Sequence, residues 1–431
     1  MHVAFAVSGV PDRSFGGGGN WVSAFLQEFG KRHRTTCIAV SGKHDASVER
    51  SEGLARKWEE SGVAVRLVPY VGPSGSRSRL GTALAFLRND SRAILPDCYS
   101  APGTMAVVDE LQPDIVVCAA HLACYLCAPV KGVPKVGFLA EGHHLNLATH
   151  AEFISDRASR GWWARAVERA RIAFLVRRME KAEVRELRDM DLLLFAGYHY
   201  IDWAIRHGLE NASFMTTPVA EPEAECRWGG RESGAGPFTI LAMGHLHSTS
   251  NQSQLPLLIH EVLPAMDKHF AGIDYRLRIV GRNTTLRSDY RRVLESHACV
   301  ELVGPVAPPD EEFINCDVLF VPVPARTGSR VRIIQGFAFG CPIVAHCANR
   351  LGIAELAHGG NVLLGSSGEE LAALLRRVHD DPELSCRIAG AGRRVYEASY
   401  RPGYAADMLE YFLAETWCRY HGRNAEDWVL E

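Results

Sequence analysis

The sequence predicts two consecutive α/β units, each built on a doubly wound parallel sheet. Three observations carry this. Short apolar runs alternate with amphipathic stretches, the pattern of a parallel sheet with crossover helices. The runs are apolar throughout, as strands buried on both faces are. The alternation stops at Thr217–Pro237, a Pro-, Gly- and Glu-rich stretch without periodicity, and then restarts.

In the first half a strand is expected at His2–Val7. The glycines of Phe15–Gly19 then form a tight turn, and Asn20–Lys31 carries Trp21, Phe25, Leu26 and Phe29 at helical spacing. Thr35–Val40 is a strand, a charged helix runs to Glu60, and strands follow at Val63–Val68, Asp114–Ala119, Lys135–Leu139 and Asp191–Ala196. In the second half, strands at Phe238–Met243, Tyr275–Val280, Val300–Val303, Asp317–Val321 and Pro342–Ala345 alternate with helices, among them Gln254–Phe270, Val331–Phe339, Glu369–Val378 and Pro382–Ala398. A last amphipathic helix spans Gly403–Tyr420. The expected domains are 1–216 and 238–400, with a linker over 217–237 and a helical segment over 401–431. Ligands of such sheets bind beyond the carboxyl ends of the strands, and interdomain clefts are preferred pockets.

Composition excludes several classes. With 47% hydrophobic and 23% charged residues the chain is globular, not disordered. A net charge of -3 gives no basic excess for nucleic acid. Apolar runs such as Asp191–Gly197 are far short of the ~18 residues that span a bilayer. The N-terminus enters a strand directly, without a charged leader, so a cytoplasmic protein is expected. The twelve cysteines fall mostly in apolar runs and read as reduced, buried thiols. Cys118, His121, Cys124 and Cys127 lie three apart, which on a helix fans them over half the cylinder. Burial is therefore expected there, and no metal site. Asp189-Met190-Asp191 reads as helix-to-strand punctuation. The arginine-rich segment Arg157–Arg188 contains Trp162 and Trp163. Its interleaved Glu168, Glu180, Glu183 and Glu186 make it a solvated helix, so membrane contact is not expected.

Several residues suggest binding chemistry. Gly17, Gly18 and Gly19 let backbone N–H groups approach an anion at a helix start; a tight turn is the alternative. Gly244 and His245 end the first strand of the second half, and Asn251 follows. Thr327-Gly328-Ser329 opens a helix, presenting free N–H groups and the positive end of its dipole. Arg330 and Arg332 lie at that helix start, where positive charge is unfavourable unless an anion is near. Gln335, on the same helix, both donates and accepts hydrogen bonds.

The segments IIQGFAFGCPIVA and GIAELAHGGNVLL resemble the C-terminal domain of retaining GT-B glycosyltransferases of family 4. The likeness spans Phe238–Ser399. It extends loosely into the first half through the glycine loop and RRMEKAEVRELRDMDLLLFAG. The resemblance implies the GT-B fold, two Rossmann-like domains facing a cleft, with a C-terminal helix crossing back to the first. It implies metal-independent transfer, with retention, of a sugar from a UDP- or GDP-type donor to a small polar acceptor through a hydroxyl or thiol. A biosynthetic, natural-product setting fits, and no separate cofactor is expected. The family's two glutamates fall on Thr327 and Gln335, and its Arg and Lys diphosphate clamp falls on His245 and Asn251. Arg330 or Arg332 would then supply the clamp's charge. Gly281 and Arg282 match the strand end beside the base, and Glu355 matches the glutamate of the G-x-x-E element. His143 and His144, after a strand in FLAEGHH, match the region of a family histidine near the acceptor and would shuttle its proton. The substituted glutamates leave two alternatives open, a non-catalytic or partner-dependent nucleotide-sugar binder and a GT-B sugar epimerase. A homodimer is admissible.

Overall fold

The computed structural model describes residues 1–12, 16–41, 48–71, 101, 103–140, 142–145, 147–149, 162–222, 236–246, 249–284 and 286–424. The chain divides into one unit of Met1–Pro218 with Pro402–Glu431 and a second of Val219–Arg401. Most of the expected linker, like residues 157–161, Phe15, Glu141 and His247, lies outside the described residues.

The first unit holds β1 (His2–Val7), β2 (Arg34–Ser41), β3 (Ala64–Pro69), β4 (Ile115–Ala119), β5 (Lys135–Leu139), β6 (Leu192–Phe195) and β7 (Ala212–Phe214). They pair in the order β3-β2-β1-β4-β5-β6-β7. The second unit holds β8 (Phe238–Met243), β9 (Tyr275–Val280), β10 (Val300–Val303), β11 (Val318–Val321), β12 (Ile343–His346) and β13 (Leu363–Gly365), in the order β10-β9-β8-β11-β12-β13. Every pairing is parallel. The strand order reverses between β1 and β4 and again between β8 and β11, and such switch points open ligand crevices at the strands' carboxyl ends. The edge strands β7 and β13 have three residues each, too short to stand out as apolar runs.

One device recurs at the start of the strands. Asp114, just before β4, accepts the His2 N–H at 2.6 Å. Asp317, just before β11, accepts the Thr239 N–H at 2.7 Å. Asp191, before β6, accepts the Lys135 N–H at 2.8 Å, which gives the D-x-D its structural role. Each carboxylate satisfies a neighbouring strand's first free donor and fixes the register.

The glycine run differs from expectation. The helix begins at Gly16 and runs to Arg32, so Gly17, Gly18 and Gly19 lie in its first turns instead of a loop. Glycine costs about 1 kcal/mol in a helix interior. Burial of Trp21, Phe25, Leu26 and Phe29 on the same helix overrides that cost. A Cβ at Gly19 would collide with the Asp12 carbonyl oxygen.

Each sheet is covered on both faces. In the first unit, one core joins helix Gly16–Arg32 to Ala405, Leu409, Leu413 and Trp417 of the C-terminal helix Pro402–His421. Arg32 reinforces that contact with ion pairs to Asp407 at 2.5 Å and Glu410 at 3.2 Å. The opposite face buries Cys118, Cys124 and Cys127 among Leu122, Val184 and Leu193. No described helix is long and apolar enough to cross a membrane. Leu413 is fully buried. Leu413→Ala should cost ~2–5 kcal/mol, read as a lower urea midpoint with an unchanged slope.

Candidate functional site

In the second unit the carboxyl ends of β8 and β9 meet the start of the helix Val331–Ala338. Gly244 and Gly281 have φ of 144° and 140°, a region that favours glycine. A Cβ on Gly281 would lie 2.5 Å from the Gly244 carbonyl oxygen, so the two loops touch through backbone alone. The Arg282 N–H donates to His245 Nδ1 at 3.0 Å, and the Leu246 N–H donates to the Arg282 carbonyl at 2.8 Å.

Arg332 enters this corner from the helix. Its guanidinium donates to the Met243 carbonyl, and its Nη2 donates to Asn251 Oδ1 at 2.5 Å. Asn251 is 5% exposed, and its Nδ2 donates to the His245 carbonyl at 2.9 Å. A Cβ on Gly244 would lie 2.5 Å from Arg332 Nη1, so glycine makes room for the guanidinium. Among the described residues no carboxylate pairs with Arg332. Burial, and then the charge of Arg330, pull its pKa down. Both effects disfavour the cation and would be relieved by an anion. The structure thus brings Gly244, His245, Asn251, Gly281, Arg282 and Arg332 into one corner.

The loop before the helix forms the adjoining wall. Arg330 is the helix N-cap residue, is buried, and donates through Nη2 to the Ala325 carbonyl at 2.8 Å. Thr327 is 4% exposed, and its Oγ1 makes no hydrogen bond among the described residues. A Cβ at Gly352 would collide with the Gly328 carbonyl and sit 3.1 Å from Ser329 Cα. The G-x-x-E element therefore packs directly under Thr327–Ser329. Its Glu355 accepts from the Tyr400 hydroxyl at 2.7 Å. Gln335 is half-buried, and its amide makes no hydrogen bond among the described residues.

Two expectations change on this geometry. Asn251 gains a positioning role, since its Nδ2 donates to the His245 carbonyl while its Oδ1 accepts from Arg332. His144 is not placed to shuttle a proton. It is 3% exposed, stacks on Trp203 at 4.9 Å, and its Nδ1 lies 2.7 Å from Glu183 Oε2. His143 stays half-buried.

Glu183 organises that region of the first unit. The charge pattern predicts a solvated helix here, yet Glu183 is fully buried on helix Trp162–Leu187. Its carboxylate accepts the backbone N–H groups of His143 at 2.9 Å and His144 at 3.2 Å, and His121 Nε2 lies at 3.0 Å. The one available signal was local: Ala182, Val184 and Leu187 turn this end of the helix inward. Burial alone would raise the Glu183 carboxyl. Hydrogen bonds and charge from His121 and His144 outweigh it and hold the group below the usual carboxylate range. Its contribution to stability is therefore complete above the ordinary value of 4.5 and is lost as pH falls below it. Glu183→Ala, which strands the histidines, should cost ~3–5 kcal/mol in denaturant unfolding. Glu183→Gln should flatten the acid limb of the stability–pH curve.

Residues 237–381 match the family model described as glycosyl transferases group 1. A comparison with curated protein sequences finds no match. Solved structures align over nearly the whole chain at low identity. One is Anabaena HepE in complex with UDP and glucose, at 14% identity and a TM-score of 0.64, covering 96% of this chain and 100% of that one. Another is sucrose-phosphate synthase from Thermosynechococcus elongatus, at 14% identity and 0.68, covering 97% and 100%. A third is a glycosyltransferase from Rickettsia africae, at 11% identity and 0.61, covering 96% and 98%. Within the second unit, residues 237–381 thus resemble the glycosyl transferases group 1 model, and the whole chain shares the GT-B fold of these structures.

Proposed function

We propose that this chain transfers a sugar from a nucleotide diphosphate donor, of UDP type, to a small-molecule acceptor. The second unit holds the donor and the first holds the acceptor. The observation that carries the reading is the guanidinium of Arg332, desolvated at the switch point of the unit that resembles the group 1 model, with no carboxylate partner among the described residues. The clamp residues expected at 245 and 251 are His and Asn here, and Arg332 reaches both loops from the helix instead. A dianionic diphosphate fits such a corner, with the helix N–H groups adding to the charge. Support for uridine comes from HepE, solved with UDP and with UDP-glucose.

The chemistry follows from leaving-group stabilisation. The bond from the sugar's anomeric carbon to the diphosphate oxygen breaks, and its electron pair leaves with the diphosphate. Arg332 and the helix start stabilise that developing charge. The acceptor oxygen or sulfur forms the new bond on the face the leaving group vacates, which gives retention, and its proton passes to His143. Gln335 lies three residues beyond Arg332, on the same side of the helix, and would hold the ribose hydroxyls. The charge needed at the diphosphate is supplied by protein groups, so transfer proceeds without a metal. The substituted Thr327 and Gln335 support a second reading, a binder that does not transfer.

Calorimetry with UDP, GDP, ADP and dTDP, without metal, tests the donor site. UDP should bind best. Arg332→Ala should weaken it by the ~1.5–3 kcal/mol of a charge-assisted hydrogen bond, roughly ten- to a hundred-and-fifty-fold. Gly244→Ala should weaken it too, by displacing the guanidinium. Silence from all four nucleotides rejects the reading. Nucleotide binding without any sugar released or transferred selects the non-catalytic one.

A further inference from the structure

A cavity of about 340 Å³ opens in the first unit beyond β1 and β4, where the strand order reverses. That volume lies within the range of small-molecule pockets. Its walls are made by Val7, Val10, Trp21, Val22, Ala119 and Ala140. The ionisable side chains among the lining are Asp12 and Arg50, which pair with each other at 2.9 Å. A hydrophobic concavity left open to water costs free energy in proportion to its apolar area, so such hollows mark sites of ligand or partner binding.

The frame of this cavity is closely packed and locally strained. Trp21 is braced by Phe138, with ring centroids 4.5 Å apart, and by Phe25 at 6.0 Å, so it presents a fixed apolar wall. Gly19 lets the helix press on the Asp12 carbonyl, where any side chain would collide. Ala120, also in the lining, has φ 75° and ψ 165°, a conformation that glycine alone enters readily. Its N–H still donates to the Phe138 carbonyl at 2.8 Å, which holds the strained turn to β5. Strain of this kind persists where the surroundings fix it, and it clusters at ligand sites.

We propose that this cavity is the acceptor site and that the acceptor is a small aromatic molecule, in place of the compact polar one expected from the sequence. The word acceptor rests on the transferase reading; the cavity's preference for an aromatic ligand does not. Trp21 and the aliphatic walls take the ring, and the Asp12–Arg50 pair offers a hydrogen bond to one polar substituent.

The test uses the full chain and two probes of similar size, 4-methylumbelliferone and methyl α-glucoside, titrated by ligand-observed NMR, with UDP binding measured on the same samples. 4-Methylumbelliferone should saturate the wild type while the glucoside does not. Val22→Phe and Ala140→Leu, each filling the cavity, should both weaken it about tenfold or more and leave UDP binding unchanged. Ala140 is half-exposed, so Ala140→Leu serves alone should Val22→Phe fail to fold. Glucoside binding as tight as that of the aromatic probe, or aromatic binding that the folded filling variants do not weaken, overturns the proposal. Absence of UDP binding in the wild type would sink the transferase reading instead, and the aromatic preference would still be decided by the two probes.

Discussion

In each sheet a carboxylate just before one strand holds the first free N–H of the strand beside it. Asp114 does this for β1 and Asp317 for β8, on either side of the point where strand order reverses. A one-residue slip would turn every side chain of a strand to the wrong face. Register set at the amino ends is therefore what delivers Gly244 and Gly281 to the same height at the carboxyl ends, with their backbones touching. In the first unit the same constraint places Ala119 and Ala120 beside Val7 and Val10.

The two units treat desolvated charge in opposite ways. Glu183 is saturated: two backbone N–H groups and two imidazoles converge on one carboxylate. That is a structural use of charge, tying a helix to the segment after β5. Among the described residues Arg332 has a carbonyl and an amide oxygen as partners and no carboxylate. Neutral acceptors orient a guanidinium without neutralising it, so the corner keeps a net positive character. The first arrangement secures a loop, and the second leaves an attraction for something the chain does not itself supply.

The fold class was legible because buried parallel strands are rich in apolar residues. His2–Val7, Lys135–Leu139, Phe238–Met243, Tyr275–Val280 and Val300–Val303 fall where the sequence predicts them, even with Arg276, Arg278 and Glu301 inside the last two. The three-residue strands β7 and β13 carry no such signal. The glycines at 16–19 misled because intrinsic preference opposes a helix there and tertiary burial wins. At the corner around Arg332 the sequence singled out the residues that converge, since the motifs that carry them are local in the chain. It could not assign Asn251 to Arg332, a partner 81 positions away. Glu183 and the cavity lining were hidden for the same reason, being made by elements far apart in sequence.

The C-terminal helix carries a consequence for how the protein is made. The chain leaves the first unit after Pro218 and returns at Pro402. Leu409, Leu413 and Trp417, which complete the core over helix Gly16–Arg32, thus emerge during synthesis only after the whole second unit. Helix Gly16–Arg32 must wait, without the apolar side chains that pack on it, while all of Val219–Arg401 is translated. The second unit has no such delay, since its ends already meet where the Val219 N–H donates to the Tyr400 carbonyl at 3.2 Å. On the ribosome the later-translated unit is therefore the first that can finish folding, and the earlier one closes only once helix Pro402–His421 has followed it.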